Sequence, residues 1–144
     1  DAGRYWVLVV EDDPGHALIL EAVFAYDDAR AHVQVARSAE EAIDYLRGPW
    51  GGSDFDNAEL PDVIVLDINM PGVGGLGFLA WYQKQPKLAR VPVVVFTSSG
   101  GQELERRAME LGAREFMIKP TDFALLLPVV ERVLDRWVAG QESA

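Results

Sequence analysis

Asp62-Val63-Ile64-Val65-Leu66-Asp67-Ile68-Asn69-Met70-Pro71 sets four aliphatic residues, three of them β-branched, directly against a carboxylate. A run so short and so apolar reads as a strand buried on both faces, as inside a parallel sheet. Trp6–Val10, Val91–Phe96 and Phe116–Ile118 repeat the pattern. A weaker run, His32–Ala36, alternates Val33 and Val35 with polar residues and fits an edge strand.

Helical spacing fills the intervals. Asp13-Pro14 combines an N-cap carboxylate with Pro at the first helical position, and Leu18, Ala22 and Ile19, Val23, Tyr26 follow at helix periods. Ser38-Ala39-Glu40-Glu41 reads as a capping box opening a helix that stops at Gly48. Further helices are expected over Leu76–Gln83, over Gln102–Leu111 with Gly112 just past its end, and over Thr121–Val138. In the last, Leu125, Val129, Val130, Val133, Leu134 and Trp137 form the inner side, and Pro128 demands a late start or a kink. Such alternation argues for an α/β fold, a doubly wound five-stranded parallel sheet with helices on both faces. Gly48–Pro61 reads as a long exposed loop, in which Trp50 and Phe55 suit either packing or a partner contact.

The chain has 144 residues, enough for one compact domain with its own core. Without cysteine it has no disulfide, thiolate metal site or thiol chemistry. A net charge of −10 disfavours nucleic acid and anionic membrane surfaces, which would repel it. No apolar stretch approaches the roughly 18–20 residues that cross a bilayer, and Asp1–Arg4 lacks a signal layout. A soluble, cytoplasmic protein is expected.

The chemistry lies at the strand ends. Trp6–Val10 runs into Glu11-Asp12-Asp13, the third strand into Asp67, Val91–Phe96 into Thr97-Ser98-Ser99, and Phe116–Ile118 into Lys119-Pro120. In an open parallel sheet all carboxyl ends lie along one edge, where ligands bind. Several carboxylates, a hydroxyl and an ammonium are therefore expected in one pocket. Oxygen donors without His or Cys suit a hard cation such as Mg²⁺, and Asp67 beside it is a plausible nucleophile toward phosphorus. Asp13 reads chiefly as the helix cap. His16 and His32 read as surface residues without ligand partners.

Val9-Val10-Glu11-Asp12-Asp13, Val65 through Pro71, Val95-Phe96-Thr97-Ser98 and Ile118-Lys119-Pro120 together resemble, in order and spacing, the signatures of bacterial two-component response-regulator receiver domains over about residues 5 to 138. The resemblance implies a flavodoxin-like receiver fold with strand order 2-1-3-4-5 and a stand-alone receiver over residues 1–144, with no output domain. It implies Asp67 as phosphoacceptor, and Mg²⁺ held by Glu11, Asp12, Asp67 and the backbone carbonyl of Asn69, with Asp12 the direct ligand of the acidic pair. Thr97 is then the switch hydroxyl, Lys119 the lysine that meets the phosphoryl group, Phe116 the aromatic switch, and Lys119–Pro120 a cis bond. The donor is a sensor histidine kinase, and the responding surface is the fourth helix, fifth strand and fifth helix, used for homodimerisation. Asp44-Tyr45-Leu46-Arg47, the long following loop and Trp137 are similar to receivers paired with bacterial phytochrome kinases. Gly74 departs from the acidic residue often found before the family's loop glycine, here Gly75. The rival readings are a flavodoxin-like cofactor carrier and an aspartyl-phosphate phosphohydrolase. The latter wants a second Asp two residues past the nucleophile, where this chain has Asn69.

Overall fold

A computed structural model describes residues 5–27, 31–47, 60–98, 100–120 and 122–139. Its strands are β1 (Tyr5–Val10), β2 (Ala31–Ala36), β3 (Val63–Leu66), β4 (Val93–Thr97) and β5 (Glu115–Ile118). All pair in parallel in one sheet of order β2-β1-β3-β4-β5. The helices are α1 (Pro14–Asp27), α2 (Ala39–Arg47), α3 (Gly74–Gln83), α4 (Gln102–Glu110) and α5 (Leu126–Leu134). The expected α/β architecture and strand order are therefore present.

Side-chain alternation along each strand divides the core. Leu8, Val10, Ile64, Leu66, Val93 and Val95 face α2, α3 and α4, packing on Leu46, Phe78, Leu79 and Ala108. Val7, Val9, Val63, Val65, Val94 and Phe96 face α1 and α5, packing on Leu20, Phe24, Val130 and Val133. The central strands are apolar throughout because both of their faces are covered.

Local signals account for most of the boundaries. Asp13 Oδ1 accepts from the Gly15 and His16 N–H groups at 2.8 and 3.0 Å, capping α1. Ser38 Oγ accepts from Glu41 N at 2.9 Å, giving half of the anticipated box. The Glu41 carboxylate turns instead to the backbone N–H of Arg37. Gly112 adopts φ +108° just past α4, a conformation that favours glycine. Gly48, Trp50, Phe55 and Thr121 lie outside the described residues.

Several expectations are corrected. The sheet has two edges, and β5 is half-buried rather than covered on both faces, with Ile118 52% exposed. The last helix is shorter than anticipated. Phe123–Leu125 forms a 3-10 turn, α5 proper starts at Leu126, and a π-helical turn closes it over Asp135–Ala139. Pro128 thus sits in the first turn of α5, where its missing N–H breaks no helical bond. Leu125, placed on the inner side by periodicity, is exposed. In α1 the buried face is Ala17, Leu20, Val23 and Phe24, while Leu18, Ile19 and Tyr26 are exposed. The Lys119–Pro120 bond is trans, not cis; only about 0.5–1 kcal/mol separates the isomers of an X–Pro bond, so the sequence alone does not set the choice.

Candidate functional site

The backbone ladder continues one step past the strands and pins the functional residues there. Glu11 N donates to Ala36 O at 2.9 Å, Asp67 N to Val10 O at 2.9 Å, and Lys119 N to Thr97 O at 2.7 Å. Behind Asp67 the chain turns into α3 so tightly that a Cβ on Gly75 would lie 2.4 Å from Ile68 Cα and 2.9 Å from the Asp67 carbonyl oxygen. The position demands glycine, and the close approach fixes where Asp67 is presented.

Glu11, Asp67 and Thr97 are buried, at 1%, 6% and 0% exposure, against the usual tendency of polar side chains to stay in water. Each of Glu11, Asp12 and Asp67 offers a carboxylate oxygen within 4.8 Å of the others. Lys119 Nζ pairs with Glu11 Oε1 and lies 3.7 Å from Asp67 Oδ2. The second oxygen of Glu11 accepts from Asp13 N at 3.2 Å. Burial drives the Glu11 carboxyl up from 4.5 to about 7; Lys119 opposes the rise and the neighbouring Asp67 adds to it. The trio thus carries more negative charge than one lysine balances. Hard oxygen donors at this spacing, already under mutual repulsion, fit a small divalent cation such as Mg²⁺.

Asn69 ties two strand ends together. Its backbone N–H reaches Asp67 Oδ1 at 3.1 Å, and its side-chain Nδ2 donates to Thr97 Oγ1 at 2.8 Å. Phe116 is half-buried on the outer strand, packed against the α2–α4 side of the core. A Cβ on Gly100 would meet its ring at 2.9 Å, so only glycine leaves room for the ring in this place.

The sequence-expected residues Glu11, Asp12, Asp67 and Lys119 therefore meet, and Thr97 is linked to Asp67 through Asn69. His16 is exposed, as expected, and in addition its Nδ1 lies 3.1 Å from Lys119 Nζ. The signal available for it was its place three residues into α1, next to the acidic cluster. His16 and Lys119 also help line a cavity of about 320 Å³ whose walls include Ile19, Leu20, Phe96 and Leu126.

The doubly wound sheet thus carries, at the carboxyl ends of its strands, an edge of three carboxylates and one lysine. The response regulator receiver domain family matches residues 7–131, and the chain belongs to that family, whose members are phosphoacceptor signalling switches. The probable methanogenesis regulatory protein FilR2 of Methanothrix harundinacea is 31% identical over 95% of this chain and 86% of that protein. The methanogenesis regulatory protein FilR1 of the same organism is 28% identical over 95% of this chain, which spans only 29% of FilR1's length. Among solved structures, the phosphorylated cyanobacterial phytochrome response regulator RcpA superposes with a TM-score of 0.83 at 26% identity, covering 96% of both chains. The Mn²⁺-bound form of response regulator Rcp1 gives 0.78 at 25% identity, covering 93% of this chain and 94% of that one. The anticipated likeness to regulators of phytochrome systems is present in RcpA. Among the described residues no helix is long and apolar enough to cross a membrane.

Proposed function

We propose that this chain accepts a phosphoryl group on Asp67 from a sensor histidine kinase, in the presence of Mg²⁺, and signals by altering its α4–β5–α5 surface. The observation that carries this reading is the meeting of Asp67 with Glu11, Asp12 and Lys119 at one sheet edge. In the transfer, an Asp67 carboxylate oxygen forms the new O–P bond as the P–N bond of the donor phosphohistidine breaks, and the imidazole leaves with the electron pair. Glu11, Asp12, Asp67 and the Asn69 backbone carbonyl would hold Mg²⁺, Asp12 being the member of the acidic pair that would bind it directly. When bound, the cation offsets charge on the phosphoryl oxygens.

The chain's own groups do the rest. Lys119 leaves Glu11 for a phosphoryl oxygen as a point charge. The Thr97 hydroxyl donates to another, and Phe116 turns inward into the space beside Thr97. Those local moves bias a two-state surface. α1 supports the docking of a partner beside the site: Leu18 and Tyr26 are 67% and 80% exposed on it, and the apolar cavity adjoins it. A cytoplasmic setting and a kinase of the bacterial phytochrome type fit this reading, the latter through the likeness to RcpA. Against a phosphohydrolase stands Asn69, whose amide cannot serve as the acid–base group.

The test is phosphotransfer from purified histidine kinases, including a phytochrome kinase, with Mg²⁺ and with chelator. Transfer is expected from at least one kinase to the wild type with Mg²⁺, and none to Asp67→Asn. Equal labelling of the two proteins contradicts the assignment.

A further inference from the structure

We infer that the side chain of Asn69 is a positioning residue, holding the Thr97 hydroxyl ready to donate to a phosphoryl group on Asp67. The inference rests on the phosphoacceptor reading above and adds a role for a side chain that neither metal binding nor the transfer step employs.

Asn69 follows the phosphosite by two residues, and its N–H is anchored on Asp67 Oδ1 at 3.1 Å. From that anchor the side chain crosses to the end of the neighbouring strand and donates to Thr97 Oγ1 at 2.8 Å. A hydroxyl carries one proton and two acceptor positions. The Asn69 amide occupies one of those acceptor positions and so fixes how the hydroxyl is turned. An accepted hydrogen bond also polarises the O–H and strengthens what it donates. Thr97 is wholly buried, so bulk water does not reach it to play the same part. One residue thus fixes the phosphosite carboxylate with its backbone and the responding hydroxyl with its side chain. Asn69→Ala deletes the donor. Asn69→Asp goes further, because a carboxylate claims the Thr97 proton and adds a fourth negative charge beside Glu11, Asp12 and Asp67. Asn69→Ala keeps the backbone carbonyl at position 69 and adds no charge, so a parallel Mg²⁺ titration separates a change in metal binding from a change in beryllofluoride binding.

The experiment is calorimetric titration of beryllofluoride, with saturating Mg²⁺, into the wild type, Asn69→Ala, Thr97→Ala and the double variant, alongside Mg²⁺ titration alone. Loss of one hydrogen bond corresponds to about a three- to tenfold weakening of beryllofluoride binding in Asn69→Ala. No further weakening is expected when the same change is made in Thr97→Ala. Asn69→Gln, which keeps an amide donor, should recover part of the loss. Wild-type affinity in Asn69→Ala, or an equal loss in the Thr97→Ala background, overturns the inference while leaving the phosphoacceptor reading intact. A wild type that ignores beryllofluoride in the presence of Mg²⁺ overturns that reading itself.

Discussion

A carboxylate as buried as Glu11 must find a cation or take up a proton. Lys119 supplies part of the first remedy, and a carboxyl that titrates near 7 shows the pull of the second. The native state holds this proton more tightly than an unfolded chain, whose glutamate titrates at 4.5. Between those values the folded protein binds the extra proton, so stability falls as pH rises through the interval and levels above it. The melting temperature of metal-free protein should therefore decline from about pH 5 to about pH 7.5, with the slope reduced in Glu11→Gln. Added Mg²⁺ should flatten it by stabilising the ionised trio. A melting temperature that climbs over the same interval, with an equal climb in Glu11→Gln, contradicts the picture. At this scale Glu11, Asp12, Asp67, Thr97 and Lys119 were legible because each directly follows a strand, and a parallel sheet aligns strand ends. His16 was not, since its contact with Lys119 joins positions 103 apart and depends on how α1 lies against β5. The Asn69–Thr97 bond was equally hidden, because it depends on a side-chain rotamer.

Among the elements, the β3–α3 junction does most to set the site. Gly75 lets the first turn of α3 close onto Ile68 and the Asp67 carbonyl, and backbone stands where a methyl group would go. Gly75→Ala should cost about 1–3 kcal/mol by overpacking, read as a lower urea midpoint, and should slow phosphorylation by displacing Asp67. An alanine variant as stable and as readily labelled as the wild type refutes that role for the junction. The strands were readable because aliphatic runs of four to six residues have few other uses in a domain of this size. The buried face of α1 was not, because the helix is apolar nearly all round and its period does not choose a side. β5 was taken as covered because Phe116-Met117-Ile118 is as apolar as a central strand; its place at the sheet edge leaves Ile118 exposed.

On the scale of the whole molecule, two cores on opposite faces of one sheet connect the acidic edge to distant surfaces. Phe116 packs with one core and Met117 with the other, so the end of β5 borders both. The α4–β5–α5 face carries ion pairs made within the chain, Arg106 with Glu103 and Glu110, and Arg132 with Glu115. Such pairs are individually weak at a surface and open to exchange for partners on a second copy. Light scattering after size-exclusion chromatography should show a shift from monomer toward dimer when beryllofluoride and Mg²⁺ are added, and Arg132→Glu should diminish it. A mass that stays monomeric with saturated beryllofluoride counts against this surface as the output. Most direct for the central claim is to map by mass spectrometry the residue modified after incubation with acetyl phosphate, with Mg²⁺ and with chelator. The expected result is a single acyl phosphate on Asp67, formed only with the metal; modification at another residue, or formation unaffected by chelator, contradicts the account.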